Sequence, residues 1–360
     1  MTTPPAGAVS LRDVAAAAGV SVASASVALN GRDGVAAATR ARIVEAAQRL
    51  GYRANPQAQA LRRGLASTYG LVVRNLANPF FLDVVSGAEE VAAQAGVTLM
   101  LANSRYSTEL EREHVRSLAS HRCAGLAIAP VGNGESLGLW AELTRGTTAV
   151  ALNATLAPAP GSPDPLGPSV PRVGPDNLAA VDLPLTRLAE LGHEHVAFLC
   201  APRTLMADPD RLARFRRTAR RLGVRGSVLT APLTLEAVRT AAGRALAGPN
   251  PPTAIMTNSD YTAQAVYQSA RDLGLRIGAD VSVVGHDDLP TSELLDPPMA
   301  TLRVDRRALG RAVMERLLDP DLRTDHVEPV TMVERASMAP PVHAVATLPP
   351  HPRHRRSRRQ

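Results

Sequence analysis

Short apolar segments alternate with amphipathic helical segments through most of this chain. From residue 69 onward the apolar segments read GLVV, VTLMLAN, AGLAIAP, TAVALN, HVAFLC, TAIMTN and VSVVGH. Strands that are apolar on both faces belong to parallel sheets that are covered by helices on both sides. Because these segments supply about twelve strands, more than one open sheet needs, the alternation predicts two α/β lobes.

The N-terminal part of the chain lacks such strands and has three short helical patterns instead. One helical face is formed by Leu11, Val14, Ala15 and Ala18. Gly19 ends this helix, and Ser21 supplies the N-cap of a second helix that runs to about Leu29. A third helix offers Ala37, Ile43, Ala46, Ala47 and Leu50 for packing. Two helices joined by a tight glycine-containing turn, with a third behind them, predict a helix-turn-helix DNA-binding headpiece.

Positive charge is concentrated at the two ends of the chain. The chain carries a net charge of +7 with a pI near 10.3, and all 40 of its basic residues are arginine. Residues 1–64 carry +5 and residues 336–360 another +5, which leaves −3 on the remainder. A basic head and a basic tail around a mildly acidic body predict a polyanionic partner held by the ends.

Several classes of protein are disfavoured by missing motifs. No apolar run approaches the roughly 18–20 residues that span a bilayer, and no basic start precedes an apolar stretch as in a secretory signal. Cys123 and Cys200 form no CxxC pair and are predicted to be buried, reduced thiols. Walker, GxGxxG and HExxH motifs are absent. We therefore expect a cytoplasmic, nucleoid-associated protein that is not an enzyme and uses no metal or cofactor.

Composition divides the chain into four segments. Residues 1–52 are the predicted headpiece, residues 53–67 a polar hinge that orders on binding, residues 68–340 the two-lobed body, and residues 341–360 a disordered basic tail. Within the body, residues 157–175 are rich in Pro and Gly and are predicted to be a surface loop near the crossing between the lobes.

Motifs in both parts of the chain resemble the LacI/GalR family of bacterial transcriptional regulators. The resemblance rests on LRDVAAAAGVSVASASVALNG, ARIVEAAQRLGYRANPQAQAL, GLVVRNLANPFF, ELGHEHVAFL, RIGADVSVVGHDDLP and DPPMATLRVD, which stand in the family's order over roughly residues 9–340. It implies a homodimer whose headpieces occupy the major groove of a near-palindromic operator. It also implies a periplasmic-binding-protein-like body that binds a small effector, often a sugar or nucleobase, between its lobes. An exported sugar-binding protein has that body, but the missing signal and the headpiece argue against it.

The resemblance assigns DNA contacts to positions in the second helix and the hinge. These positions are Val22, Ala23, Ser24, Ser26, Val27, Asn30, Asn55, Ala58, Leu61 and Arg62. Val27 stands where the family commonly has Arg, so it offers only apolar contact, for example to a thymine methyl. Leu61 matches the residue that wedges into the minor groove and bends the duplex. The alternatives are helix capping for the polar positions, mere smallness for the apolar ones, and packing against a neighbouring hinge helix for Leu61.

The resemblance also assigns effector contacts in the body. These fall on Phe80, Phe81, Asn153, Arg211, Ser259 and Asp287, with core packing as the alternative for the two phenylalanines. Four departures from the family's pattern leave the ligand's identity open: Pro184 inside a helix, which it should interrupt, Arg214 for Gly, Ser259 for Asn, and His286 for an aromatic residue. They also leave open a regulator whose body no longer binds an effector.

Overall fold

The structure, a computed structural model, describes residues 9–29, 34–50, 52, 68–154, 170–206 and 209–342. The chain divides into two compact units, residues 1–67 and residues 68–360. Predicted DNA contacts at Asn30, Asn55, Ala58, Leu61 and Arg62 lie outside the described residues. The same holds for the hinge and for the basic tail from residue 343 onward.

The first unit contains three helices, α1 (Leu11–Ala18), α2 (Val22–Leu29) and α3 (Ala37–Arg49). Helix α1 begins with a capping box between Ser10 and Asp13 and ends at Gly19, whose φ of 64° is in the left-handed region that glycine tolerates. The predicted N-cap of α2 is confirmed, because Ser21 Oγ accepts a hydrogen bond of 3.0 Å from the Ser24 N–H. By length and apolar composition, none of the described helices alone could cross a membrane, and α1 and α2 would qualify only together, as a pair bent by 102°.

The core of the first unit is built almost wholly from small apolar side chains. Its buried members are Val14, Ala15, Ala18, Ala25, Ala28, Ile43, Ala46 and Ala47. The predicted packing face of α1 is therefore confirmed. The prediction for Ala37 is wrong, since this residue is exposed in the first turn of α3 and Val35, just before the helix, packs against the core instead.

The second unit contains twelve strands and eight helices among its described residues. The strands are β1 (Thr68–Val73), β2 (Thr98–Asn103), β3 (Gly125–Ile128), β4 (Thr148–Leu152), β5 (Arg172–Pro175), β6 (His195–Cys200), β7 (Arg225–Thr230), β8 (Ala254–Thr257), β9 (Ser282–Val284), β10 (Thr301–Val304), β11 (His326–Glu328) and β12 (Val330–Val333). The helices are α4 (Phe80–Gln94), α5 (Thr108–Ser120), α6 (Glu135–Thr144), α7 (Ala179–Glu190), α8 (Pro209–Leu222), α9 (Leu235–Leu246), α10 (Asp260–Asp272) and α11 (Arg306–Leu318).

Two parallel sheets confirm the predicted two-lobed body. The first lobe has the strand order β11-β5-β4-β3-β1-β2 and the second has β7-β6-β8-β9, while β10 and β12 form a separate antiparallel pair. Both sheets are covered on both faces. In the first, Leu71 and Val73 of β1 pack in one core and Val72 between them packs in another. In the second, Leu199 of β6 packs in one core and Phe198 in another. Strand β11 pairs with β5, so the chain returns to the first lobe after building the second.

Two local predictions for the body are wrong. Residues 172–175 are not a loop but strand β5, which pairs with β4 and β11 and buries Val173 and Pro175, while residues 155–169 of the same segment are not described. Pro184 does not interrupt its helix, because α7 runs unbroken through it. A proline removes one helical hydrogen bond, but Pro184 lies on the buried face of α7, where packing holds the helix.

Helices α4 and α11 cross in the first lobe with their backbones almost touching. A Cβ added at Gly87 would lie 2.1 Å from the Arg307 carbonyl oxygen, and one added at Gly310 would lie 2.0 Å from the Val84 carbonyl oxygen. Only glycine fits at both positions. The crossing fixes α4, the helix whose first turn carries Phe80 and Phe81.

Candidate DNA-reading helix and effector cleft

Helix α2 turns a small, uncharged surface outward. Ala25 and Ala28 are buried in the headpiece core, whereas Val22 is 43% exposed and Ala23 is exposed as well. Ser24, Ser26 and Val27 are partly buried. The Ser24 hydroxyl lies 2.9 Å from Ser21 Oγ, which is the capping contact that was the alternative for this residue.

A cavity between the two lobes of the body encloses about 660 Å³ of space, part of it open to solvent. All six predicted effector residues line it: Phe80, Phe81, Asn153, Arg211, Ser259 and Asp287. Other lining residues, Arg74, Cys200 and Asn258, stand at or just beyond the carboxyl ends of β1, β6 and β8. The carboxyl ends of parallel strands are where ligands bind in open α/β folds.

The two phenylalanines serve both the core and the cavity. Each is 2% exposed and belongs to the hydrophobic core of the first lobe, and their rings meet edge to face with centroids 5.1 Å apart. The side-chain carbonyl of Asn78 accepts a hydrogen bond of 3.1 Å from the Phe80 N–H at the start of α4. Core packing and cavity lining are thus compatible at these positions.

A buried chain of hydrogen bonds orients Arg211 and Asp287. Arg211 donates from Nε to Asn177 Oδ1 at 2.6 Å, from Nη1 to the Asn258 carbonyl at 3.3 Å, and from Nη2 to His286 Nε2 at 3.2 Å. Because a guanidinium only donates, His286 Nε2 must accept, and the ring proton lies on Nδ1. That Nδ1–H donates to Asp287 Oδ1 at 2.8 Å.

Two buried acceptor atoms that line the cavity, Asn153 Oδ1 and Asp287 Oδ2, have no hydrogen-bond partner among the described residues. Both residues also have positive φ, 48° for Asn153 and 121° for Asp287, a conformation that costs free energy in residues other than glycine. A buried polar atom without a partner is costly, and such atoms collect at sites that bind something. The pair therefore fits a ligand with hydrogen-bond donors, such as hydroxyl groups.

Burial is the main cause of the shifted pKa of Asp287. Loss of hydration raises its pKa to about 8, although the charges of Arg211 and Arg306 oppose that rise. Near neutral pH this carboxyl exists in both forms, so Oδ2 either accepts from a ligand hydroxyl as a carboxylate or donates when protonated.

The carboxylate of Asp260 holds the loop that carries His286 and Asp287. It accepts hydrogen bonds from the Leu289 N–H at 2.8 Å and from the hydroxyls of Ser292 and Thr301 at 2.6 Å each. Burial, together with the nearby Asp287 charge, raises the pKa of Asp260 to about 6. The preceding Ser259 caps α10, since its Oγ accepts from the Thr262 N–H at 3.2 Å.

Sequence reasoning missed Arg74 and Asn177. Arg74 is buried, and its Nη2 donates to the Asn153 carbonyl at 3.1 Å; Asn177 holds Arg211. Both follow the end of a strand, a positional signal that could have found them. In contrast, Arg214 does not line the cavity and pairs with Asp182. Both cysteines are buried and form no disulfide, as predicted. Among the described residues no cluster of His, Cys, Asp and Glu could hold a metal ion.

A helix-turn-helix unit joined to a two-lobed α/β body with a cavity between its lobes defines the class of ligand-controlled transcriptional regulators. Residues 10–55 match the model for bacterial regulatory proteins of the lacI family, and residues 185–338 match the periplasmic binding protein-like domain.

Individual relatives span nearly the whole chain. The transcriptional regulator MalR of Streptomyces coelicolor is 32% identical over 86% of this chain and 89% of its own length. The transcriptional repressor CytR of Escherichia coli is 28% identical over 89% of this chain and 92% of its own. The Lac repressor dimer bound to operator and the anti-inducer ONPF superposes with a TM-score of 0.79 at 25% identity, covering 92% of this chain and 99% of that one. The chain belongs to the LacI family of DNA-binding transcriptional regulators.

Proposed function

We propose that this protein is a repressor that binds a near-palindromic operator as a homodimer and is controlled by a small effector, a sugar or related metabolite, in the interlobe cavity. The observation that carries the proposal is the convergence of six predicted effector residues on one cavity that holds two unpartnered buried acceptors, Asn153 Oδ1 and Asp287 Oδ2. Sugar hydroxyls supply donors for both atoms, and Phe80 and Phe81 supply the apolar wall. In this proposal the protein binds its operator in the cytoplasm, on the DNA of the nucleoid.

The proposed DNA contacts fall in two of the four segments of the chain, the headpiece and the hinge. The headpiece, residues 1–52, reads the major groove through Val22, Ala23, Ser24, Ser26, Val27 and Asn30. The hinge, residues 53–67, contacts the minor groove through Asn55, Ala58, Leu61 and Arg62. The net charge of +5 on residues 1–64 supports phosphate contacts, and the Lac repressor, a structural relative, is bound to its operator as a dimer.

Exposed apolar side chains on the body support self-association. Leu82 on α4 is 51% exposed and Leu101 on the edge strand β2 is 42% exposed. In the second lobe, Leu294 is 82% exposed. Contiguous exposed apolar patches are typical of protein interfaces, so these leucines are the positions to test for one. Sedimentation of L82E and L294E variants tests the dimer: both should shift towards monomer, and an unchanged dimer would place the interface elsewhere.

Calorimetry of the full chain against a metabolite library tests the effector site. The wild-type protein should give saturable heats with at least one hydroxyl-bearing compound. N153A and D287N should bind that compound about tenfold more weakly or worse, since each removes or alters a buried hydrogen-bond acceptor. The exposed D321N variant is the matched control and should bind normally.

Absence of saturable binding by any compound would favour the second candidate, a DNA-binding regulator whose sensor body no longer binds an effector. The departures from the family's residue pattern at Ser259 and His286 are the observations that favour this second candidate. Binding that is equal in wild type, N153A and D287N would place the effector outside this cavity.

A further inference from the structure

A buried cation, Arg74, borders the cavity and is not needed for the contacts considered so far. It directly follows β1 and is 7% exposed. Among the described residues its guanidinium makes a single hydrogen bond, from Nη2 to the Asn153 carbonyl at 3.1 Å. No carboxylate of the described part of the chain lies within ion-pair distance of it. A buried arginine is normally paired, because removing its charge from water is costly.

The ionisable side chains that line the cavity carry an excess of positive charge. They include Arg74, Arg211 and Asp287, so one positive charge is unbalanced even when Asp287 is ionised. When Asp287 is protonated, the excess is two. Inside a cleft that excludes part of the surrounding water, such an excess favours an anion more strongly than it would at an open surface.

Glu111 of α5 is the carboxyl whose pKa is influenced by the charge of Arg74. It does not cancel the excess positive charge of the cavity. Its Oε2 accepts from the Val131 N–H at 2.8 Å, and the side chain does not line the cavity. Burial raises the pKa of Glu111 to about 7, although a hydrogen bond from Ser136 on α6, the Val131 N–H and the charges of Arg74 and Arg112 oppose that rise. Arg112 is itself paired with Glu135.

We propose that the effector is an anionic polyol whose carboxylate or phosphate group pairs with Arg74 while its hydroxyl groups meet Asn153 Oδ1 and Asp287 Oδ2. Arginine suits this role because its planar fork binds carboxylate and phosphate oxygens with charge-assisted hydrogen bonds. The inference rests on the proposed function, since it assigns the chemical class of the ligand at the same site.

Sulfate alone, compared with chloride at equal ionic strength, tests the anion site without knowledge of the effector. Sulfate should raise the melting temperature of the full-length wild-type protein above its value in chloride. In R74Q this gain should shrink, whereas R116Q, which removes an exposed arginine of the same lobe, should keep it in full. R74K retains the charge and should keep part of the gain. Equal sulfate gains in wild type and R74Q would overturn the proposal.

The pH dependence of the same measurement separates an anion site beside Glu111 from general binding to a basic protein. Sulfate keeps its charge between pH 6 and 8, while Glu111 loses its proton through this range. Asp287 also loses its proton over part of this range. The sulfate gain attributable to Arg74 should therefore fall as pH rises, and E111Q should reduce that fall, leaving the part that Asp287 contributes. A gain that is independent of pH in wild type, or equally dependent in E111Q, counts against the site.

Matched pairs of small molecules distinguish a carboxylate from a phosphate ligand. They need only the wild-type protein, so they test the proposal even if R74Q does not fold. D-gluconate is compared with D-glucitol, and D-glucose 6-phosphate with D-glucose, by calorimetry on the wild type. An anionic member that binds roughly tenfold or more tightly than its neutral match supports the proposal and identifies its anion. A neutral member that binds as well as its anionic match overturns the proposal while leaving the effector site itself intact. If no member of either pair binds, the proposal depends on the melting temperature of the wild type at pH 6. A melting temperature that is no higher in sulfate than in chloride then overturns the proposal.

Discussion

At residue 27, in the helix proposed to read DNA, this chain carries valine where the LacI family commonly carries arginine. Helix α2 has no charged side chain, so its base contacts should be apolar or made by serine, and shape readout through DNA bending should contribute more. V27R should shift the preferred operator towards a G·C pair in each half-site, because arginine binds the major-groove edge of guanine. Selection from a randomised operator library measures this shift.

The matched control for V27R is V44R, which places the same charge on the exposed surface of α3. V44R should change overall DNA affinity without changing base preference. An identical selected operator for V27R and wild type would mean that residue 27 does not face the bases.

Asp260 should make the stability of the protein depend on pH. Its pKa is raised from 3.8 to about 6, so the folded state binds its proton more tightly than the unfolded state does. The stability this group contributes is complete below about pH 4 and is lost as pH rises towards 6, a difference of roughly 3 kcal/mol. The free energy of unfolding of wild type, measured in urea, should fall relative to D260N by about that amount between pH 4 and pH 7. Parallel pH profiles would contradict the assignment.

At the scale of elements, the crossing of α4 and α11 should be the least tolerant contact in the first lobe. G87A or G310A places a methyl group about 2 Å from a backbone carbonyl oxygen, so the helices must separate. We expect each to lower the free energy of unfolding by about 1–3 kcal/mol or more. G138A, in the open interior of α6, meets nothing within 4 Å and should be neutral or slightly stabilising. Equal effects at all three positions would show that the crossing is not tight.

The type of an element, helix or strand, could be predicted from the sequence wherever its apolar residues recur at a regular spacing. The alternating apolar and amphipathic segments predicted the parallel sheets, and the spacing of Val14, Ala15 and Ala18 predicted the buried face of α1. Strand β5 was missed because its four residues include Gly174 and Pro175, which favour turns in sequence, and its pairing with β11 joins residues about 150 apart. Such pairing is a property of the tertiary fold and leaves no local signal.

The candidate site was readable only in part for a similar reason. Resemblance to the family placed six residues that the fold does bring to one cavity. The partners that orient them, among them the contact of Asn177 with Arg211, depend on how two lobes meet and have no periodic pattern. The excess charge at Arg74 likewise has no sequence signal, because it depends on which of the described carboxylates the fold brings close to this residue.

On the scale of the whole molecule, the basic tail should add non-specific DNA affinity. Residues 349–360 contain five arginines and no acidic residue. Removing them should weaken non-specific binding and lower the slope of log affinity against log salt by up to about four or five, since each phosphate contact contributes about 0.9. Replacing the five arginines by glutamine keeps the length and should have the same effect. A salt slope equal to that of wild type would mean that the tail does not touch DNA.

Occupation of the interlobe cavity should control DNA binding. The most direct test of this control is the operator affinity of the full-length protein, measured by fluorescence anisotropy with and without a ligand that calorimetry has shown to bind. We predict that the ligand changes operator affinity at least about fivefold in wild type and leaves it unchanged in N153A at the same ligand concentration, while the two proteins bind operator equally without ligand. A ligand that saturates the wild-type cavity without changing operator affinity would contradict the account.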